Sequence, residues 1–251
     1  MKILVLSARD VHGLLPFREC TDVMRGVLEA VARGEVHQPL RTVVQPPGAA
    51  GLMALMPAYA SGEEAAYGLK AICITPGNPA IGMDTHQGGV LLFAAETGEP
   101  LALVNASAIT EVRTAAVSAV ATELLACPDA AEFAVIGNGV QARAHVLALS
   151  ASRPLSAVWV AGRDPARAKA FAAQLAGEVG DYLFAMREGV VGPADIRAEI
   201  GEVLTGAAPG RADDHEITLF KSLGLAAEDL AAASHVYSKA KGQGAGTWAE
   251  F

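Results

Sequence analysis

A short apolar run that meets a glycine-rich turn has the clearest chemistry in this sequence. The run at residues 133–136 leads into glycines and an alanine spaced as G-x-G-x-x-A, at Gly137, Gly139 and Ala142. In such a pattern the first glycine permits a sharp turn, the second lets backbone approach a pyrophosphate, and the small third residue keeps a helix close to its strand. The spacing predicts a dinucleotide-binding strand, turn and helix, although an ordinary tight strand-to-helix turn has the same appearance.

A second apolar run, at residues 157–161, follows the predicted helix at the spacing of a βαβ unit. Its tip carries Arg163 and Asp164, and Pro165 is placed as the first residue of a further helix. An acidic side chain at this tip binds the ribose 2′-OH, whereas an arginine accommodates the 2′-phosphate of NADP. Arg163 favours NADP over NAD, but Asp164 can simply cap the helix and Arg163 can be a loop residue. The cofactor is therefore NADP or NAD, with a preference for NADP.

The remaining elements follow from capping residues, apolar periodicity and turn residues. Ser7 and Asp10 form a capping-box pattern before a short helix, and an amphipathic segment over 18–32 ends before Gly34. A helix is predicted from about 108 to 126 with Ser107 as its cap. Apolar runs bounded by glycine and proline predict strands, the last two forming a hairpin, at 1–6, 41–44, 52–56, 68–72, 89–93 and 101–104.

The composition is that of a globular protein with an ample core: 251 residues, 52% of them hydrophobic, with a formal charge of −8. The negative charge argues against nucleic-acid partners and against an anionic membrane surface. No apolar run approaches the roughly 20 residues of a bilayer span, and we expect a cytoplasmic protein. Cys20, Cys73 and Cys127 are widely spaced among apolar neighbours, which predicts buried reduced thiols and no metal site.

Several segments outside the glycine-rich turn resemble the ornithine cyclodeaminase/mu-crystallin family, almost from end to end of the chain. They are Lys70 followed by TPGN at 75–78, HQGGVLLF at 86–93, ETGEPLA at 96–102, ITEVRTAA at 109–116, GPADI at 192–196, EIGEVL at 199–204, ITLFKSLG at 217–224 and EDL at 228–230. Members of that family join a substrate-binding and dimerisation domain, made from both chain ends, to an inserted Rossmann domain. They transfer hydride to or from the α-carbon of small amino acids or cyclic imines.

The resemblance implies that a set of cations binds the carboxylate of an amino or imino acid. Arg113 would hold that carboxylate as a fork, while Lys70 would add a point charge and, as the catalytic residue, pass a proton. Arg41 is implied as a third cation, with Thr85 near the same pocket. His86 lies in one of the family segments but receives no role.

Cofactor contacts are implied in the same way. Thr114 would lie beside the phosphates and Ser222 near the nicotinamide. The glycine-rich turn and the second strand tip would supply the rest: Gly137, Asn138, Gly139, Val140 and Gln141 at the pyrophosphate, and Arg163 and Asp164 at the ribose.

The sequence departs from the family in the later part of the nucleotide domain. A full Rossmann domain has two βαβαβ halves, and each βαβ unit takes about 30 residues or more, so roughly sixty to eighty expected residues are missing after the second helix. The Gly-Asp-rich loop that supplies the family's catalytic acid is among them, and no residue here matches that acid. We therefore expect an α/β fold in which residues 1–126 with 190–251 form a substrate-binding and dimerisation α+β domain, and 127–189 form an inserted, truncated Rossmann domain.

Two classes of function are consistent with these observations. The first is NAD(P)-dependent hydride transfer on a small amino acid or cyclic imine, reduced or lost through the deletion. The second is a non-catalytic dimeric scaffold of the same family that binds a nucleotide or small ligand. A homodimer is expected in both cases.

Overall fold

The computed structural model describes residues 1–62, 64–161 and 197–251. The chain divides into two compact units: Met1–Arg113 with Gly224–Phe251, which we call the first unit, and Thr114–Leu223, which we call the second unit. Both chain ends therefore belong to one unit. The predicted limits, 1–126 with 190–251 and 127–189, differ from this division at both junctions, and the domain limits stay a prediction.

The first unit is built on an eight-stranded sheet. Its strands are β1 Lys2–Leu6, β2 Val36–His37, β3 Thr42–Val44, β4 Leu52–Ala60, β5 Ala66–Ile74, β6 His86–Ala94, β7 Pro100–Asn105 and β10 Thr247–Glu250. Along the sheet they follow the order β10-β1-β7-β6-β5-β4-β2, and β3 pairs with β4. The β1–β7 pair is parallel, and the other pairs are antiparallel.

Among the described residues, the helices α1 Ala8–Leu14, α2 Phe17–Ala32 and α6 Ala226–Gln243 contact strands of this sheet. The α6 helix contacts β4, β5 and β6. Its approach is close at Gly68 of β5, where an added Cβ would lie 2.7 Å from Leu230 Cδ1. A glycine at this strand position therefore sets how near the helix lies to the sheet.

Period-two alternation explains which strand residues face the core. On β4, Ala54, Met56 and Ala58 are buried, because they share the face that α6 covers. The opposite face, which we call the second sheet face, carries exposed Met53 and Tyr67. Cys73 is also exposed and Cys127 is half-buried, so the expectation that all three thiols are buried is wrong for these two. Cys20 is buried, and desolvation raises the pKa of its thiol to about 12.

Capping chemistry places the helix starts. Ser7 and Asp10 form the predicted capping box of α1. The helix α3 runs over Ala106–Leu125, two residues earlier than predicted. Asn105 accepts a hydrogen bond from the Ala108 N–H at 2.9 Å, so Ser107 is not the cap. The Ser107 hydroxyl donates instead to the carbonyl oxygen of His86 at 2.5 Å.

Two basic side chains of α6 bind an acidic side chain of α2. The Nε2 atom of His235 lies 2.8 Å from a carboxylate oxygen of Glu19, and Lys239 donates to the other oxygen. The hydrogen bond from Lys239 lowers the pKa of the Glu19 carboxyl. This partly exposed cluster joins the second helix of the chain to the last one.

The second unit contains the predicted strand, turn and helix. Strands β8 Glu132–Ile136 and β9 Ala157–Ala161 pair in parallel, and α4 Val140–Ser152 connects them. A short helix, α5 Ile200–Leu204, also lies in this unit. The fold is thus of the mixed α/β class. The predicted second helix at 165–176, Arg163, Asp164 and the return toward the first domain lie outside the described residues.

No helix among the described residues is long and apolar enough to cross a membrane. The same residues contain no group of histidine, cysteine and acidic side chains that could hold a metal ion.

Candidate active site

Lys70 projects from the middle of β5 into the covered side of the sheet. Its side chain is 2% exposed, because position 70 shares the inward phase of the strand with Gly68 and Ile72. The Nζ atom donates to Thr110 Oγ1 at 2.7 Å and to Asp229 Oδ1 at 2.9 Å. Thr110 in turn donates to the carbonyl oxygen of Ala106 at 2.6 Å. Lys70 is therefore held by one residue from α3 and one from α6.

Arg113, on α3, meets the same carboxylate. Its Nε–H donates to Asp229 Oδ1 at 3.1 Å, and its Nη1 atom donates to Glu228 Oε2. A single oxygen of Asp229 thus binds both predicted carboxylate-binding cations. Because all four charged side chains are buried, we call Lys70, Arg113, Glu228 and Asp229 the buried charge cluster.

The buried charge cluster is balanced when all four groups are ionised, with two cations and two carboxylates. Such balance is required, since an isolated buried charge is strongly unfavourable. Burial lowers the pKa of the Lys70 ammonium, and the neighbouring Asp229 carboxylate opposes that change. Burial also raises the pKa of the Glu228 carboxyl, against the attraction of Arg113. Lys70 and Glu228 are therefore the members whose protonation is easiest to change.

One buried oxygen of the charge cluster accepts no hydrogen bond from the described residues. Asp229 Oδ2 is buried and has no hydrogen-bond partner among the described residues. A buried carboxylate oxygen normally accepts at least one hydrogen bond. The atom therefore marks a position where a donor from a bound molecule would be stabilising.

Arg41 is connected to the buried charge cluster through Gly224, which contacts both Arg41 and Arg113. Its Nη2 atom donates to the Gly224 carbonyl oxygen at 3.0 Å. Gly224 has a φ of +69°, and a Cβ there would lie 3.1 Å from both terminal nitrogens of Arg113. The same glycine thus touches both arginines, and a side chain at this position would displace Arg113.

Thr85 and His86 lie outside the hydrogen bonds of the cluster. The carbonyl oxygen of Thr85 accepts from the Thr75 N–H at 2.9 Å. Desolvation and the charge of Lys70 lower the pKa of the His86 imidazole. His86 is therefore electrostatically coupled to Lys70, a relation that the sequence did not indicate.

Sequence reasoning missed Thr110, Glu228 and Asp229 as members of the site. The two acids occupy the first turn of α6, where acidic residues usually only interact with the helix dipole. Both are about as buried as core aliphatic residues, and buried acids are almost always paired. An adjacent acidic pair at the start of an alanine-rich helix was the available signal.

The glycine-rich turn lies in the second unit. Gly137 has a φ of +118°, a conformation that side chains other than glycine rarely adopt. Its N–H donates to the Ala161 carbonyl oxygen at 2.7 Å, which ties the turn to the end of β9. Ala142 is 1% exposed, as close packing of the helix requires.

The start of α4 has the features of an anion site. Gly139 is the N-cap and makes no side-chain capping bond, so backbone N–H groups at the helix start face outward. Asn138, Gly139 and Val140 are exposed, and Gln141 is half-buried. These residues fit a pyrophosphate. Thr114 and Ser222 belong to the same unit and are also half-buried, while Arg163 and Asp164 are not described.

A comparison with known families decides the relationship. The sequence model of the ornithine cyclodeaminase/mu-crystallin family matches residues 1–186 and 176–244. The chain belongs to this family. Its two matched stretches overlap at 176–186, within the segment where the sequence predicts missing family residues.

Individual relatives match this chain over nearly their whole length. The Delta(1)-pyrroline-2-carboxylate reductase of Bacillus cereus is 28% identical over 326 residues, covering 99% of this chain and 100% of the relative. The structure of the Thermococcus litoralis Delta(1)-pyrroline-2-carboxylate reductase with NADH and L-proline has a TM-score of 0.89 and 27% identity, covering 98% of this chain and 99% of that one. An archaeal alanine dehydrogenase dimer with bound NAD has a TM-score of 0.89 and 26% identity, with both chains fully covered.

The alignment with the Bacillus cereus family member is longer than this chain. It runs over 326 positions, whereas this chain has 251 residues, so at least 75 positions have no residue here.

Proposed function

We propose that this family member transfers a hydride between a nicotinamide cofactor and the α-carbon of a small cyclic imino acid or amino acid. The observation that carries the proposal is the buried charge cluster, in which Asp229 holds Lys70 and Arg113 together. Two neighbouring buried cations suit a substrate that has both a carboxylate and a basic nitrogen, because one cation can bind the carboxylate and the other can donate a proton to the nitrogen. Relatives named for pyrroline-2-carboxylate reduction and alanine dehydrogenation support this substrate class.

Lys70 is proposed to hand a proton to the substrate nitrogen. Its Nζ atom is fixed by Thr110 and Asp229, and burial lowers its pKa, so the ammonium is a better proton donor than an exposed lysine. Asp229 orients that ammonium and stabilises its charge. A bound nicotinamide would supply the hydride.

Arg113 is proposed to bind the substrate carboxylate with N–H donors that Asp229 and Glu228 do not use. A guanidinium has five such donors, and two are engaged with these acids. The incoming carboxylate adds one negative charge to a balanced cluster. Glu228, whose pKa burial raises, is the carboxyl suited to take up a compensating proton.

The cofactor is proposed to bind the second unit through the turn of Gly137 and Gly139, with Thr114 and Ser222 as further contacts. Solved relatives hold NADH or NAD, whereas Arg163 motivates the preference for NADP. Titration of intrinsic fluorescence with NADH and with NADPH separates these two cofactors. An Arg163→Ala variant that weakens NADPH binding alone would support the preference for NADP.

The deletion is proposed to weaken turnover more than binding. Residues for the pyrophosphate are present, but the family's catalytic acid has no match in this chain. A misplacement of about 1 Å costs on the order of a hundredfold in rate, and loss of a general acid costs a further ~10²–10⁴. We therefore expect measurable nucleotide binding with slow reduction, and the alternative of a non-catalytic ligand-binding scaffold remains the second candidate.

The direct test is reduction of Δ1-pyrroline-2-carboxylate with NADH or NADPH, followed at the nicotinamide absorbance. We expect slow turnover that Arg113→Ala abolishes and that Arg33→Ala, a change of an exposed arginine at the end of α2, leaves intact. Nucleotide binding without any turnover would favour the scaffold. Absence of both would refute the proposal.

A homodimer is proposed to form through the second sheet face. Met53, Tyr67 and Leu103 on it are 42%, 50% and 38% exposed, and an apolar surface of this kind commonly marks an interface. The archaeal alanine dehydrogenase relative is a dimer. Sedimentation at micromolar concentration should give a dimer that Leu103→Lys dissociates, whereas Leu40→Lys, a change of an exposed residue outside the strands, should not. A monomeric wild-type protein would contradict the proposal.

A further inference from the structure

A hydrogen-bonded bridge joins α3 to α4 inside the second unit. Ser118 Oγ on α3 lies 2.8 Å from His145 Nε2 on α4. The other ring nitrogen, His145 Nδ1, lies 2.7 Å from the carbonyl oxygen of Gln141, one turn earlier on the same helix. Ser118 Oγ also lies 3.3 Å from the carbonyl oxygen of Thr114, one turn earlier on α3.

The chemistry of the partners assigns the hydrogens of this bridge. A carbonyl oxygen can only accept, so Nδ1 of His145 carries a hydrogen and donates to Gln141. Burial lowers the pKa of the His145 imidazole, which makes the neutral ring the form present at pH 7. In that tautomer Nε2 accepts, and therefore the Ser118 hydroxyl donates to it.

On α4 the bridge ends at the turn of Gln141, and on α3 it ends at Ser118, one turn after Thr114. Gln141 and Thr114 are both proposed to contact the cofactor phosphates. We infer that Ser118 and His145 are positioning residues that fix the spacing of these two turns for a bound dinucleotide. The inference rests on the proposed nucleotide binding and goes beyond it, because neither residue belongs to the glycine-rich pattern.

The physical reason is pre-organisation. Backbone groups that are already fixed at the correct spacing bind an anion without a further loss of conformational freedom. The first turn of α4 has only a glycine at its N-cap and no side-chain capping bond. A bond from the neighbouring helix supplies the restraint that a capping side chain would otherwise give.

A double-mutant cycle on nucleotide affinity tests the inference. Ser118→Ala removes the donor, and His145→Asn keeps an amide N–H near the Nδ1 position but removes the Nε2 acceptor. Loss of one neutral hydrogen bond predicts a Kd for NADH that rises about two- to tenfold in each variant. Because the two changes remove the same bond, the double variant should bind no more weakly than either single variant.

Two further variants serve as a conservative replacement and as a control. Ser118→Thr keeps the hydroxyl and should restore a Kd within about twofold of the wild type. Ser150→Ala is the matched control, because the Ser150 hydroxyl on α4 donates only within its own helix, to the Leu147 carbonyl oxygen at 3.0 Å. Thermal unfolding of every variant without nucleotide separates a loss of affinity from a loss of stability.

The outcomes distinguish this inference from the proposed function. If the wild type binds neither NADH nor NADPH, both are refuted. If the wild type binds and Ser118→Ala has the Kd of Ser150→Ala, only the inference is overturned. Lower unfolding temperatures with an unchanged Kd would likewise overturn it, since the bridge would then be structural alone.

Discussion

Replacing Asp229 by asparagine tests whether the buried charge cluster is ionised and balanced. The change keeps the size of the side chain and removes one negative charge that contacts Lys70 at 2.9 Å and Arg113 at 3.1 Å. Removing one partner of a buried ion pair destabilises a protein by about 3–5 kcal/mol. Since total stabilities are about 5–15 kcal/mol, we expect a large loss.

The loss is measured by urea denaturation and by thermal unfolding, both followed by circular dichroism. For a chain of this size, about 2–4 °C per kcal/mol predicts a fall of roughly 6–20 °C in the thermal midpoint. Asp22→Asn makes the same chemical change at an exposed position of α2 and should stay within about 0.5 kcal/mol of the wild type. A second variant, Lys70→Met with Asp229→Asn, removes one charge of each sign and should regain much of the lost stability.

The pH dependence of the Asp229→Asn variant gives an independent check. In the wild type Asp229 raises the pKa of Lys70 against the effect of burial, so its removal lowers that pKa further. Between the folded pKa and the unfolded value of 10.5, the unfolded chain then binds more protons than the folded one. Stability therefore rises with pH in this window, by up to ~1.4 kcal/mol per unit. A variant as stable as Asp22→Asn, in which stability begins to rise at no lower pH than in the wild type, would refute the reasoning.

Three other substitutions have defined expectations. Gly68→Ala places a Cβ 2.7 Å from Leu230 Cδ1 and should cost about 1–3 kcal/mol in urea denaturation; an unchanged midpoint would contradict the close approach of α6. Gly137→Ala forces a side chain into a φ of +118°, which should cost about 1–3 kcal/mol of stability. The variant should also bind NADH more weakly in fluorescence titration, and unaltered binding would contradict a role of this turn in nucleotide binding. Glu19→Gln should cost about 0.2–1 kcal/mol at pH 7. Because the folded pKa of Glu19 is lowered, the difference in stability is fully present above its unfolded value of 4.5 and decreases as the pH falls below that value. A difference that does not decrease on acidification would refute its electrostatic origin.

Local patterns predicted most elements of the first unit. The predicted hairpin became β6 and β7, and the capping box of α1 formed as expected. The strand β10 was not predicted, because Thr247–Glu250 has only four residues and owes its conformation to pairing with β1 at the other end of the chain. Tertiary pairing of this kind leaves little trace in a short sequence.

The start of α3 shows a second limit of local reasoning. Asn105 and Ser107 are both good N-cap residues, so residue type alone does not choose between them. The choice depends on where β7 ends, since Asn105 is also its last residue. A cap is therefore fixed by the neighbouring strand as much as by its own side chain.

The cations of the candidate site were predicted from the sequence, whereas its acids were not. One physical cause explains why the acids are present. Lys70 and Arg113 were predicted because the family resemblance implies that they bind a carboxylate ligand. In the protein without substrate, a buried cation of the binding site must be neutralised by a carboxylate of the protein itself. Each buried cation in a binding site therefore implies a hidden acid, and in this chain Glu228 and Asp229 fill that role from α6. In the proposed function the incoming carboxylate adds a negative charge beside these acids and Glu228 takes up a compensating proton, so the acids determine the chemistry as much as the cations do.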